Sequence, residues 1–203
     1  MIKRIFESYN FILTEEQIYK FEMYKKLLME WNKIINLTAI TDEKEVIVKH
    51  FIDSYSVSKK IFGDKNIKTV LDMGTGAGFP GIIAGVLNPH IEFTLVDSVN
   101  KKITFVEEVV KELNLKNIYP KHHHLDKKNS SGKKFDIVIS RAFMKPPKLI
   151  YFAKNYITDN GSHIMLLTEN QKNNFSEVIE KYSPKILTYP YEGRDRYILK
   201  FKK

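Results

Sequence analysis

The sequence predicts an α/β protein in which a helical N-terminal extension precedes a doubly wound, seven-stranded sheet. Three observations support this fold class. Apolar residues recur at helical spacing before residue 62, short apolar runs alternate with helical segments from residue 68 onward, and a glycine-rich turn follows the first of those runs. Strands separated by helices indicate a parallel sheet. We therefore divide the chain into a helical extension, residues 1–62, and a core, residues 63–203.

Two helix-start signals mark the extension. Thr14-Glu15-Glu16-Gln17 has the pattern of a capping box, in which the side chains of the first and last residues each accept a backbone N–H. Asp42-Glu43-Lys44-Glu45 repeats that pattern, and Asn36-Leu37-Thr38 is a polar break between the two helices. The apolar residues that we expect on the buried faces are Ile18, Phe21, Leu28, Trp31, Val46, Ile47, Phe51 and Tyr55.

Seven apolar runs in the core are predicted to be strands. They fall at 68–73, 91–97, 117–121, 135–140, 161–167, 184–189 and 196–201. Further helices are expected at 98–114, 147–157 and 170–182. Only residues 190–195 separate the last two strands, which leaves no room for a helix and predicts an antiparallel hairpin.

The composition excludes several classes of protein. The 203 residues include no cysteine, which excludes a disulfide framework, a thiolate zinc site and a cysteine nucleophile. The N-terminus lacks the apolar run of a signal peptide, and no stretch approaches the roughly 20 apolar residues of a membrane span. We expect a soluble, cytoplasmic protein with no membrane partner.

The chain is basic, with 33 Lys and Arg residues against 24 Asp and Glu residues and a formal net charge of +9. Such a balance attracts polyanions, and RNA or DNA is the partner class that it favours. A lysine-rich surface with no nucleic-acid partner would have the same composition, so the charge alone leaves both interpretations open.

A glycine-rich segment, Asp72–Gly81, directly follows the first predicted strand. Glycines allow positive φ angles and close approach of a ligand, and the carboxyl ends of parallel strands are where such folds bind ligands. The segment also contains the pattern G-x-G-x-x-G of NAD-binding proteins, so its glycines do not by themselves distinguish NAD from S-adenosylmethionine. A turn that merely tightens a strand–helix corner is the structural alternative.

Two residues of this segment favour S-adenosylmethionine. Pro80 removes one of the N–H groups that a pyrophosphate would need at the helix start. The carboxylate of Asp72 suits the ammonium group of a methionine moiety better than it suits a pyrophosphate. Asp97 ends the second predicted strand, where a carboxylate can accept hydrogen bonds from the ribose hydroxyls of either cofactor.

Five motifs occur in order along the chain. They are Asn36-Leu37-Thr38, Lys49-His50-Phe51-Ile52-Asp53-Ser54, the Asp72–Gly81 turn, Phe93-Thr94-Leu95-Val96-Asp97-Ser98 and Ser140-Arg141-Ala142-Phe143. With them, the chain from about residue 14 to its end resembles the bacterial RsmG (GidB) family, which methylates N7 of a guanine in the decoding-region loop of 16S rRNA. The resemblance implies a Rossmann-like class I methyltransferase fold and S-adenosylmethionine as the cofactor.

The resemblance also implies roles for individual residues. Asp97 would hold the ribose, Leu125 and Asp126 would frame the adenine, and Arg141 would be the catalytic residue beside the methyl group and the RNA. The residues expected to bind the cofactor are Gly74, Gly76, Phe79, Asp97, Leu125, Asp126 and Arg141.

The chain departs from the family pattern at two places on the RNA-facing side. His124 stands where the family usually has arginine, and Leu167-Thr168 stand where it usually has Lys-Gly. The residues expected around the cofactor are complete.

Two other groups of polar residues have both a structural and a functional interpretation. His50 and Asp53 are three apart on a predicted helix and share a face, which suits an ion pair or cap. The functional alternative is that His50, together with Asn36, contacts the target nucleotide. His122-His123-His124 cannot all face one ion from a strand, so we expect no metal.

Guanine N7 carries a free lone pair, so its methylation needs alignment rather than a catalytic base. We expect 16S rRNA in the small ribosomal subunit as the partner and a monomeric chain. The alternatives are a methyltransferase acting on another RNA, a protein or a small molecule, and a non-catalytic RNA-binding module.

Overall fold

The computed structural model describes residues 1–64, 66–126, 128–141 and 146–203. Its strands are β1 (Thr69–Met73), β2 (Glu92–Asp97), β3 (Ile118–His122), β4 (Phe135–Arg141), β5 (Ile157–Leu167), β6 (Lys185–Tyr191) and β7 (Arg194–Lys202). They form one seven-stranded sheet in the order β3-β2-β1-β4-β5-β7-β6. Strands β1 to β5 pair in parallel and β7 runs antiparallel to β5 and β6, which confirms the predicted sheet and its C-terminal hairpin.

Helices connect the parallel strands and build the N-terminal extension. They are α1 (Ile2–Ser8), α2 (Glu15–Ile35), α3 (Glu43–Val46), a π-helix (Ile47–Ile52), α4 (Asp53–Ile61), α5 (Gly81–Leu87), α6 (Asn100–Glu112), α7 (Pro146–Lys154), α8 (Glu169–Asn174) and α9 (Ser176–Tyr182). The π-helix continues α3 into α4, and such wide turns are frequent at functional sites. Ala142 and Phe143 of the last sequence motif lie outside the described residues.

Three predicted elements differ clearly in the structure. The helix predicted over 147–157 ends at Lys154, as α7. Strand β5 begins at Ile157 rather than at Gly161, because the pairing shifts from Phe135–Ile157 to Ile137–Ser162 and the turn-like residues between them are absorbed in an irregularity of the strand. The helix predicted over 170–182 is two helices, since Phe175 has φ −113° and ends α8.

The helix-start signals of the extension are confirmed. Thr14 and Gln17 exchange both hydrogen bonds of the capping box, at 3.2 and 3.1 Å. Asp42 accepts the N–H of Glu45 at 2.8 Å, whereas the Glu45 carboxylate pairs with Lys49 at 2.9 Å and does not complete a second box. Asn36 ends α2 in the left-handed conformation, with φ 49°.

The extension packs on the sheet through one continuous apolar core. Phe21, Tyr24 and Leu28 of α2 are buried, and their cluster extends into the residues of β1, β2 and α6. Of the expected core residues, Ile18 and Trp31 are only partly buried, since they lie at the margin of the contact. The proposed boundary near residue 62 falls between α4 and β1, although the core is continuous across it.

Candidate active site at the carboxyl edge of the sheet

The glycine-rich turn lies where the sequence places it, between β1 and α5. The amides of Gly74 and Thr75 both donate to the carbonyl oxygen of Val96 in β2, at 2.8 and 3.0 Å. Gly74, Gly76 and Gly78 have φ angles of 73°, 62° and 96°, which L side chains rarely adopt. The turn therefore needs its glycines to hold its backbone against the end of β2.

Asp72 holds this turn from inside. Its Oδ2 accepts hydrogen bonds from Thr75 Oγ1 at 2.8 Å and from the amide of Gly81 at 3.0 Å, and the side chain is buried. Burial raises the pKa of Asp72 to about 7, although the hydrogen bond from Thr75 and the charge of Arg141 oppose that rise. The carboxylate therefore fixes the turn through Oδ2, and its contact with a cofactor ammonium stays a prediction.

Asp97 lies at the end of β2, as predicted. Its two carboxylate oxygens accept the amides of Gly76 at 3.0 Å and Val99 at 2.9 Å, and Lys102 lies 3.9 Å away. These contacts fix the carboxylate and leave each oxygen a further lone pair.

A first cavity of about 390 Å³ adjoins Asp97 over the ends of β1, β2 and β3. Its lining residues are Gly74, Val96, Asp97, Ser98, Val99, Lys102, His123, His124, Leu125 and Phe152. Asp126, next to Leu125, does not line this cavity. Its carboxylate accepts the amides of Lys128 and Ser130, and its pKa is lowered first by the side chain of Ser130 and then by the backbone hydrogen bonds. Asp126 therefore shapes the loop that follows the cavity wall.

Phe79 lies apart from the first cavity. It is buried, and its ring stacks on those of His50, 4.8 Å away, and Tyr24, 5.0 Å away. The hydroxyl of Tyr24 donates to the carbonyl oxygen of Ala77 at 2.5 Å, and a Cβ on Gly78 would lie 2.9 Å from that hydroxyl. Helix α2 therefore packs directly on the glycine turn.

A second cavity of about 230 Å³ lies over the ends of β4, β5 and β7. It shares no lining residue with the first cavity but lies at the same edge of the sheet, because Met73 at the end of β1 pairs with Ser140, the residue before Arg141. Its lining residues are Lys49, His50, Asp53, Arg141, Leu166, Leu167, Thr168, Gln171, Tyr189 and Arg196. The structure thus brings His50, Asp53 and Arg141 together around one cavity.

His50 and Asp53 do not pair with each other within the described ranges. His50 Nε2 lies 2.9 Å from Thr38 Oγ1, which ties the polar break after α2 to the cavity wall. The exposed Asn36 lines neither of these two cavities.

Asp53 instead contacts the C-terminal hairpin. Its Oδ1 accepts the hydroxyl of Tyr189 at 2.7 Å and lies 3.7 Å from Nε of Arg196. Burial raises the pKa of Asp53, which the hydroxyl and the arginines oppose. Sequence reasoning missed Tyr189 and Arg196, since 136 residues separate Tyr189 from its partner and no local pattern marks the pair.

The buried His163 and the half-buried His50 make the stability depend on pH. Burial and then the charge of Arg141 lower the pKa of His50 to about 4, and burial lowers that of His163, whose Nε2 meets Ser140 Oγ at 2.9 Å, to about 3. In the unfolded chain both histidines bind a proton near pH 6.5, whereas in the folded chain they do so only near pH 4 and pH 3. The stability that the neutral histidines contribute is therefore complete above about pH 6.5 and is lost as the pH falls toward the folded pKa values.

We expect each histidine to lower the unfolding free energy by about 1 kcal/mol per pH unit between pH 6 and 5. Urea unfolding measured at pH 5 and pH 6 gives the change of the unfolding free energy with pH. In His163→Gln this change should be smaller than in the unmodified chain by about 1 kcal/mol per pH unit. The same substitution at the exposed His90 is the control and should leave the slope unchanged. Equal slopes in His163→Gln and the unmodified chain would contradict the assignment.

The three histidines of the run lie at the end of β3 and in the loop that follows it. His122 Nε2 lies 3.1 Å from the carbonyl oxygen of Ser98, and His123 and His124 line the first cavity. Over the ranges that the structure describes, no group of three or more His, Asp or Glu residues could hold a metal ion. Within the same ranges, no helix has the length and apolar character needed to cross a membrane.

The fold has counterparts among solved structures. A SAM-dependent methyltransferase from Aquifex aeolicus aligns with a TM-score of 0.62 at 17% identity, covering 78% of this chain and 93% of that one. Magnesium protoporphyrin IX methyltransferase from Synechocystis, solved with bound SAM, aligns with a TM-score of 0.62 at 14% identity over 89% and 97% of the two chains. The sheet order and the connections between its strands are those of the class I methyltransferase fold.

Sequence comparison narrows that class to one family. The family model GidB, described as rRNA small subunit methyltransferase G, matches residues 17–188. A relative of that description from Francisella tularensis is 37% identical, and the alignment covers 100% of this chain and 96% of the relative. A second, from Clostridium botulinum, is 43% identical, and the alignment covers 76% of this chain and 65% of the relative. The chain belongs to the rRNA small subunit methyltransferase G family, which confirms the resemblance seen in its motifs.

Proposed function

We propose that this chain transfers the methyl group of S-adenosylmethionine to N7 of a guanine in the decoding-region loop of 16S rRNA. The observation that carries the proposal is that two cavities lie at the carboxyl edge of the sheet, with Asp97 in one and Arg141 in the other. Family membership supports rRNA as the substrate, and the net charge of +9 suits it. We further propose that the chain acts as a monomer in the cytoplasm, where its substrate would be found.

The first cavity suits the proposed cofactor. Its volume falls in the usual range of small-molecule sites. The fixed carboxylate of Asp97 would accept the ribose hydroxyls, Leu125 would cover one face of the adenine, and Gly74 offers a backbone with no Cβ in the way. We propose that Gly76 contributes by holding Asp97, that Phe79 acts by fixing the turn, and that Asp126 acts by shaping the adjacent loop.

The chain would promote the reaction by alignment. When bound, S-adenosylmethionine would supply an electrophilic methyl group, and guanine N7 would accept it through its lone pair while the sulfur–carbon electron pair stayed on sulfur. No proton leaves N7, so no base is needed, and the neutral His50 is compatible with a positioning role beside the nucleotide. Arg141 would donate to O6 of the guanine or to a phosphate and so hold N7 in line with the methyl group.

Mapping of modified bases tests this function. We expect small-subunit rRNA from cells without the gene to lack one 7-methylguanosine that cells with the gene contain. Purified chain with S-adenosylmethionine should restore it on isolated small subunits. Unchanged 7-methylguanosine would refute the substrate. In that case the melting temperature would be measured with and without S-adenosylmethionine. A methyltransferase that acts on another substrate would be stabilised, whereas a non-catalytic RNA-binding module would not.

A further inference from the structure

The second cavity contains a carboxylate that alignment of N7 does not by itself require. Asp53 is only 8% exposed, yet it lines the cavity wall. Both of its contacts use the same oxygen, Oδ1, which faces Tyr189 and Arg196. Within the described part of the chain, Oδ2 accepts no hydrogen bond. A held carboxylate with one oxygen left over can bind hydrogen-bond donors of a ligand.

The other walls suit a single heterocyclic base. Leu166 and Leu167 supply apolar surface, and Tyr189 and His50 supply rings. A volume of about 230 Å³ admits one base and excludes a helical stretch of RNA. Enzymes that modify a base in RNA commonly bind it splayed out of its stack and read its Watson–Crick edge.

A larger polar cavity of about 500 Å³ continues from the second one. The two share Lys49, Thr168 and Arg196, and the larger one also reaches Tyr191 and Arg194. The guanidinium of Arg196 lies over the ring of Tyr191, 4.4 Å from its centroid. Nucleotides that flank a splayed base could therefore follow this surface without entering the smaller cavity.

We propose that the second cavity receives the target guanine and that Asp53 reads its Watson–Crick edge, accepting hydrogen bonds from N1–H and from the 2-amino group. The proposal rests on the function proposed above and names the residue that selects guanine. Guanine presents two adjacent donors on that edge. Adenine presents the acceptor N1 there, so a buried carboxylate would reject it.

The same contact would also favour the reaction. Methylation of N7 transfers the positive charge of the sulfonium to the purine ring, which makes N1–H a stronger donor. A carboxylate that accepts from N1–H therefore binds the transition state more tightly than the substrate, and such interactions raise kcat. Tyr189 and Arg196 would act as positioning residues, because they hold the carboxylate in its orientation.

An inosine substitution tests this contact. Inosine has the N7, O6 and N1–H of guanine and lacks only the 2-amino group. Small subunits would be reconstituted with 16S rRNA carrying guanine or inosine at the methylated position. We expect the unmodified chain to lose about tenfold or more in kcat/KM on inosine, as for a hydrogen bond to a charged group. Equal rates on the two substrates would overturn the proposal without any variant.

The Asp53→Asn variant completes a double-mutant cycle. We expect it to lose about tenfold or more on guanine, mainly in kcat, to retain its affinity for S-adenosylmethionine, and to show a much smaller inosine penalty. Tyr189→Phe keeps the Asp53 carboxylate but removes the hydroxyl that holds it. We expect its rate on guanine and its inosine penalty to lie between those of the unmodified chain and those of Asp53→Asn. Asp136→Asn is the control, since Asp136 accepts the amide of Thr69 at the opposite edge of the sheet, and it should keep the full penalty.

The outcomes separate the two proposals. If the unmodified chain forms no 7-methylguanosine on the guanine substrate, the proposed function fails. If it does, but the inosine penalty is the same with and without the Asp53 carboxylate, the function stands and the base-reading role fails. A variant that does not fold would show no thermal shift with S-adenosylmethionine, and the comparison of guanine with inosine in the unmodified chain would then decide.

Discussion

The Arg141→Ala variant is expected to lose about 100-fold in its rate of rRNA methylation. Arg141 ends β4 beside the glycine turn and lines the second cavity, and within the described residues it forms no ion pair that would hold it for a structural purpose. Its guanidinium is therefore available to orient the guanine, and a displacement of about 1 Å at a reacting atom can lower a rate by about 10².

Single-turnover rates on small subunits, with cofactor affinity measured separately, would test this expectation. Arg141→Lys keeps the charge but not the planar pair of donors, so we expect an intermediate rate. Arg4→Ala, on the exposed surface of α1, is the matched control and should be fully active. Full activity in Arg141→Ala would require the role to be withdrawn.

The Asp97→Ala variant is expected to bind S-adenosylmethionine at least about 100-fold more weakly. Two hydrogen bonds from ribose hydroxyls to a carboxylate contribute about 1.5–3 kcal/mol each, and every 1.4 kcal/mol changes affinity tenfold. The substitution also frees the amides of Gly76 and Val99, so the turn loses its anchor as well.

Asp136→Ala separates these two effects. Asp136 also accepts two backbone amides, those of Lys68 and Thr69, but it does so at the far edge of the sheet. Both variants should unfold at lower urea concentrations, and calorimetric titration should show weak cofactor binding only in Asp97→Ala. Unchanged affinity in Asp97→Ala would show that the ribose is held by other groups.

The sequence predicted those parts of the molecule that depend on local patterns. Apolar runs placed all seven strands, and the position of Asp72–Gly81 after the first of them placed the turn at the sheet edge. The same reasoning missed residues 157–160 of β5, since it placed residue 157 in a helix and the turn-like residues 158–160 outside the strand. There, pairing with β4 outweighs the local preference.

The direction and partners of side chains were less predictable. Asp72, Phe79 and Asp126 were all expected to contact the cofactor, and the contacts that the structure describes for them are with neighbouring protein groups. A motif records which residues a site needs and not which of them face the ligand. The contact between Asp53 and Tyr189 depends on how the C-terminal hairpin folds back, which is a property of the whole sheet.

The hydrogen bond from Tyr24 to Ala77 has a consequence for how this protein can vary. The hydroxyl occupies the space that a side chain at position 78 would need, so the two positions are sterically coupled. A core transplanted without α2 would leave the glycine-rich turn without the helix that packs on it. Helix α2 and the loop are best exchanged together and with glycine kept at position 78, because its φ of 96°, Ile82 and the Tyr24 hydroxyl all oppose a side chain there.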